Sequence, residues 1–338
     1  MAKGLVTGMK RLAAGACALM LAAGLGGCSL ATPTLAEVER DTVRAKVSGS
    51  ALVEDGVLTA AVDSSDAPQA MQGSDGELTG YNVDVARALA QRMGLSLRLV
   101  DTTSGKGAVE DGEADIFLST EPDGLKSPLG SAGTVLDDAP AVFAKSADGS
   151  SAAVTVDAMA GAVVAVQESS ASQDALARAG VTADQKTFSN VNECFEALDR
   201  GEVGYVACDA AAGAYLARAY PGTSFAGTIG STTSYDVAVS SKNTELADAV
   251  ASALDAMGSD GTLDAVHRVW YGGMPLGLDD SLLSGVDISE AEEAGGDASA
   301  ESDGASGDAA GEGSSDDPAS DNAVEGGSIS GDINSLEG

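Results

Sequence analysis

The 338-residue sequence predicts an α/β fold built from two similar units. Three observations lead to it. Strand-like and helix-like stretches alternate from about residue 56, and the rhythm restarts near residue 161. Both ends of the chain have compositions foreign to a packed core. Residues 51–285, which lie between them, are long enough for two lobes of roughly 100 residues each.

In order, "GVLTAAVDS" reads as a strand, and "SDAPQAMQGSDGELTG" carries turn signals. "YNVDVARALAQRMG" places Val85, Leu89 and Met93 on one helical face, with Gly94 as its C-cap and Asp84 as a first-turn acid. "LSLRLVD" alternates with period two, "KGAVEDGE" is a short helix and "ADIFLS" a third strand. The second unit repeats the pattern. The strand "GAVVAVQ" precedes the helices "SQDALARAG" and "VNECFEALDRG", then the strand "VGYVAC" and the helix "AAAGAYLARAY". Two more extended stretches, "APAVFAKS" and "SYDVAVSS", lie between and after the units. Two helices, "NTELADAVASALDAMGSDG" and "TLDAVHRVWYGG", finish the fold.

At the amino end, Lys3, Lys10 and Arg11 precede the apolar run "LAAGACALMLAAGL". That run is too short to span a bilayer, which takes ~20 apolar residues, and it reads as a secretory signal over residues 1–27. Gly26, Gly27 and Cys28 resemble the lipobox of bacterial lipoproteins, which implies that the Cys28 thiol is acylated and anchors the mature chain outside the cytoplasm. Residues 28–50 then serve as anchor and spacer. At the other end, residues 286–338 hold fifteen Asp and Glu with no Lys, Arg or aromatic residue, the composition of a disordered acidic tail.

Residues 51–285 carry 34 acidic and 12 basic residues, a formal charge of −22. Such a surface repels nucleic acid and favours cationic ligands. Export makes a disulfide between Cys194 and Cys208 the expected state, with two buried apolar thiols as the alternative. His267, the single histidine of the sequence, reads as a solvated helix residue and announces neither a metal site nor a catalytic triad.

The stretch "GVLTAAVDSSDAPQAM…GELTGYNVDVARALAQRMGLSLRLVD" and the ending "YDVAVSSKNTELADAVASALDAMGSDGTLDAVHRVWYGG" resemble the extracytoplasmic solute-binding proteins of polar amino acid ABC transporters, family 3. The resemblance implies a two-lobed periplasmic-binding-protein-like fold of type 2, crossed twice at a hinge, with a ligand cleft between the lobes. Lobe 1 would comprise residues 51–143 and 234–278, lobe 2 residues 144–233.

It also implies a site. Asp209, ending a lobe 2 strand, would hold the ligand's ammonium, or else cap the helix that follows. Ser169, Ser170 and Ser172, in a turn at a helix N-terminus, would hold a carboxylate, although capping accounts for one of them. Ser119 and Thr120, ending the third strand, complete the set. Two departures stand out. The loop "DSSDAPQAMQG" lacks the family's sandwiching aromatics. In "STEPDGLKS", Gly124 stands where the family places an arginine that forks onto the ligand carboxylate. The expected function is that of a lipid-anchored monomer, not an enzyme and without cofactor or metal, which delivers a small polar ligand, an amino acid or related amine, to an ABC permease. The alternative is a surface binding or sensing lipoprotein with a degenerate cleft and no transport role.

Overall fold

The computed structural model describes residues 46–120, 128–146 and 154–286. The expected signal, Cys28, the acidic tail and the loop holding Gly124 lie outside the described residues. No described helix is long and apolar enough to cross a membrane.

Two five-stranded sheets organise the chain. The first is ordered β4–β1–β5–β12–β6, from Ser96–Asp101, Val57–Val62, Ile116–Thr120, Thr233–Ser240 and Leu129–Asp138. The second is ordered β11–β7–β10–β8–β9, from Thr223–Thr228, Pro140–Lys145, Tyr205–Asp209, Val163–Gln167 and Asp184–Phe188. A two-stranded ribbon, β2 (Met71–Gln72) with β3 (Leu78–Thr79), precedes the first helix. In each large sheet the strands that begin the βαβ units run parallel: β1 with β4 and β5, β8 with β9 and β10. The strands that cross between sheets are added antiparallel, β12 on β5 and β7 on β10. The chain leaves the first sheet at Asp138 and enters the second at Pro140. It returns between Thr228 and Thr233.

Among the described residues the α-helices are α1 (Tyr81–Met93), α2 (Gly105–Glu110), α3 (Val156–Met159), α4 (Ala171–Arg178), α5 (Val191–Asp199), α6 (Ala210–Ala217), α7 (Thr244–Ser259) and α8 (Thr262–Tyr271). The apolar stripe of α1 is buried as its spacing predicts, and Gly94 ends the helix at φ 73°, a left-handed conformation that costs glycine nothing. Its Asp84 is more than a first-turn acid: it pairs with Arg87 and accepts a 2.9 Å hydrogen bond from the Trp270 indole N–H. That bond ties α8 to α1. Trp270 in turn stacks on Tyr215 of α6, with ring centroids 5.9 Å apart, so the aromatic layer runs from the helices of the first sheet to those of the second.

Two expectations change. Cys194 and Cys208 are free, buried thiols and the expected disulfide is absent. Cys194 donates to the Asn190 carbonyl at 3.5 Å. Cys208 lies against Gly213, where a Cβ would come within 2.7 Å of its sulfur. Both fill the core as small apolar groups. Burial pushes the Cys194 thiol up to about 12 and the Cys208 thiol well above its ordinary value, so both stay protonated. His267 is likewise buried, 4% exposed, between the rings of Tyr81 and Tyr271. Burial lowers its pKa to about 4, and its Nε2 has no hydrogen-bond partner.

Candidate ligand site

The carboxyl ends of β1, β5, β8 and β10, together with the crossing at Asp138, carry the candidate site, as the rule for open α/β sheets requires. Asp209 is the last residue of β10 and stands at the N-cap position of α6, yet its side chain makes no capping bond. Its Oδ1 accepts a 3.4 Å hydrogen bond from Ser172. The cap is supplied from elsewhere. Asp138 Oδ1, at the end of β6, accepts from the Ala211 N–H at 3.0 Å and from the Ala139 N–H at 2.8 Å. One aspartate therefore satisfies the helix start, and the carboxylate of the other is directed to Ser172.

The three serines separate in role. Ser170 is the N-cap of α4, accepting from the Gln173 N–H at 3.3 Å, which is the capping alternative. Ser169 is exposed and is the one positive-φ residue other than glycine among the described residues, at φ 57°. Its N–H donates to the Gln173 Oε1 at 3.1 Å. Ser172, 2% exposed, is the serine brought to Asp209. Ser119 and Thr120 end β5, paired through the backbone with Asp236 and Tyr235.

Four further residues gather here that sequence reasoning did not single out. Asp66, in the loop after β1, has its pKa raised to about 6 by burial first, then by Asp63 and Asp209. Asp138 is raised to about 8 by burial first, then by Asp209; the Ala211 and Ala139 N–H donors pull it down against these, and Asp66 adds the smallest raising effect. The Tyr235 phenol is pushed well above its ordinary value by burial, then by Asp66 and Asp138, and it takes a hydrogen bond from the Gln69 side chain. Gln69 is buried and accepts a 2.7 Å bond from the Tyr271 hydroxyl. Among the described residues neither Asp66 nor Asp138 takes part in an ion pair. No set of three or more described His, Cys, Asp or Glu side chains converges closely enough to hold a metal ion. The sequence feature that Asp66 and Asp138 share is a repeated Asp-Ala-Pro, at residues 66–68 in the loop after β1 and at residues 138–140 where β6 passes into β7.

Three acids from three separate segments thus influence one another: Asp66 from the first sheet's loop, Asp138 from the crossing, and Asp209 from the second sheet. Asp66 and Asp138, desolvated and in no ion pair among the described residues, disfavour anions and favour a group that donates hydrogen bonds and carries positive charge.

Residues 58–273 match the family of bacterial extracellular solute-binding proteins, family 3. Among solved structures, the chain is similar to an ancestral cationic amino acid solute-binding protein, with 24% identity over 64% of this chain and 96% of that one and a TM-score of 0.54. It is also similar to the second substrate-binding domain of Lactococcus lactis GlnP in its open conformation, with 21% identity over 65% and 97% of the two chains and a TM-score of 0.55. A third similar structure is a polar amino acid ABC uptake transporter substrate-binding protein from Streptococcus thermophilus, with 15% identity over 69% and 93% and a TM-score of 0.58. At these identities the likeness is one of fold, the two-lobed binding-protein fold. No curated protein matches the chain.

Proposed function

Because the chain belongs to the bacterial extracellular solute-binding proteins of family 3, we propose that it is a lipid-anchored receptor that delivers a small ammonium-bearing ligand, an amino acid or related amine, to an ABC permease. Family membership carries the ligand-binding role. The observation that supports the choice of ligand is the Asp209–Ser172 contact facing Asp66 and Asp138. Asp209 takes the ligand's ammonium, Ser172 orients Asp209, and the polar backbone around Ser169 receives an oxygen of the ligand. The formal −22 over residues 51–285 steers cations inward and opposes acidic amino acids. The protein performs no chemistry on the ligand; in a receptor of this kind, closing the lobes buries it and the permease reads the closed form.

Titration calorimetry on the mature chain tests the ligand class. Lysine, arginine, ornithine, putrescine, glutamine and glutamate form the panel. Ligands whose net charge is positive are expected to bind, and glutamate to give no heat; glutamate binding more tightly than every cation would refute the reading.

The anchor rests on the lipobox-like residues that end at Cys28. Several acyl chains on one residue give stable attachment, at ~0.8 kcal/mol for each buried CH₂. Cys28→Ser is expected to shed the chain into the medium or leave it unprocessed, followed by immunoblot of membrane and soluble fractions. Full membrane retention of a correctly cleaved Cys28→Ser chain would exclude lipid anchoring at this residue.

A further inference from the structure

We infer that residues 274–286 form a strap that ties the second sheet to the first across both hinge crossings, and so limits how far the lobes move apart. The family match ends at residue 273, where this segment begins. It starts from α8 on the first sheet's side, and Met274 and Leu278 are buried in the cluster that includes Tyr81, Leu136 and Trp270. It then meets the first crossing. The Asp137 N–H donates to the Leu276 carbonyl and the Leu278 N–H donates to Asp137 Oδ2, both at 3.4 Å.

Next it meets the second crossing. The Thr228 N–H donates to the Ser281 carbonyl at 2.8 Å, and the Leu283 N–H returns a bond to the Thr228 carbonyl at 2.9 Å. Beyond that, the Val156 N–H donates to the Ser284 carbonyl at 3.1 Å, and the Leu283 side chain, 4% exposed, is buried among Val142, Met159, Val164 and Ile229 of the second sheet's core. β11 is shaped to receive it. A bulge falls between Phe225 and Gly227, and Gly227 sits at φ 151° where any Cβ would come within 2.5 Å of Leu283 and 2.8 Å of the Ser281 carbonyl.

The strap therefore has one apolar anchor in the second sheet's core and another in the cluster that the two lobes share, and it touches each hinge segment between them. Hinges absorb motion in a few residues at element ends, and here Asp137 and Thr228, at the ends of β6 and β11, are those to which the strap is bonded. Any change of angle between the sheets must stretch the strap, shift it or withdraw Leu283. A cavity of about 640 Å³, lined by Arg218, Phe225, Met274, Pro275 and Leu282 among others, lies beside it and leaves room for a limited shift. The Trp270–Tyr215 stack, from the same α8, adds a second tie on this side of the hinge. The inference rests on the two-sheet architecture and not on the identity of the ligand.

Pulsed electron spin resonance reads the lobe separation directly. Labels are attached at Gln91→Cys on α1 and Ala177→Cys on α4, both exposed positions, in the mature chain carrying Cys28→Ser; the native Cys194 and Cys208 are buried and escape labelling. Without ligand, Leu283→Ala is expected to broaden the distance distribution at least twofold, while ending the chain after Val286 leaves it unchanged. An unbroadened distribution in folded Leu283→Ala would overturn the inference. Should Leu283→Ala not fold, hydrogen exchange on the unaltered chain decides: the Thr228 and Leu283 amides are expected to be as protected as those of β10, and exchange at the rate of an unbonded loop would overturn it.

Discussion

Replacing Asp209 by Asn is expected to weaken binding of a cationic ligand by about 1.5–3 kcal/mol, roughly 10- to 150-fold, the loss of a hydrogen bond to a charged group. Two features make the substitution clean. Asn is nearly isosteric, and the start of α6 does not depend on the Asp209 side chain, because Asp138 supplies the bond to Ala211. Thermal stability should therefore hold or rise, since one member of a repelling group of acids has been neutralised. Ser172→Ala removes only the residue that orients Asp209, at 3.4 Å. It should cost less, about 0.5–1.5 kcal/mol. Calorimetry on the three proteins checks the ranking, and a ligand held equally well by the wild type and Asp209→Asn would place its ammonium elsewhere.

The fold was legible wherever one face of an element is buried and the other is not. The α1 stripe of Val85, Leu89 and Met93 is of that kind, and the strand "VVAVQ", buried on both faces, was legible instead as a short continuous apolar run. Elements that escaped are those whose residues do not report burial. β6, "LGSAGTVLDD", is rich in Gly and Ser and looks like a loop, yet it pairs with β12 along most of its length. β9, "DQKTF", is an edge strand with four exposed positions, so no alternation marks it. The strap is hidden for a further reason: the apolar positions Met274, Leu278 and Leu283 answer to two different cores and follow no single period.

At the proposed site, Asp209 and Ser172 were singled out through the family resemblance, with helix capping as the alternative, and only the structure brings the two side chains together. Asp66 and Asp138 were not singled out. Each is an acid before Ala-Pro in an acid-rich sequence, and only the tertiary structure shows that they come within influence of Asp209. Cys194 and Cys208 failed for the opposite reason. Export argued for a bond, while the packing of Cys194 on the Asn190 carbonyl and of Cys208 on Gly213 keeps both as core members.

The acid cluster also dictates how the protein responds to pH, with opposite signs for stability and for binding. Asp138, raised to about 8, and Asp66, raised to about 6, hold protons in the folded state that an unfolded chain would already have lost. A raised carboxyl contributes stability that is complete below its unfolded value near 4 and is lost as pH rises through its folded value. Between pH 6.5 and 8 the ligand-free protein should therefore lose roughly 1–2 kcal/mol, seen as a fall in Tm of several degrees. This window separates the effect from its neighbours. His267, lowered to about 4, acts with the opposite sign between about 4 and 6.5, and the raised thiols of Cys194 and Cys208 act only near 9 and above. Asp115, also raised by burial, is held by the N–H groups of Val53 and Thr59 away from the cluster. A cation, by contrast, binds the ionised form, so it must displace the Asp138 proton. Its affinity should rise with pH over the same interval by roughly 5- to 20-fold, with proton release visible as a buffer-dependent binding enthalpy. Asp138→Asn keeps the acceptor for Ala211 and removes the titration, so it should flatten both slopes. Stability and affinity moving in the same direction with pH, or slopes that survive Asp138→Asn, would show that another group controls the site.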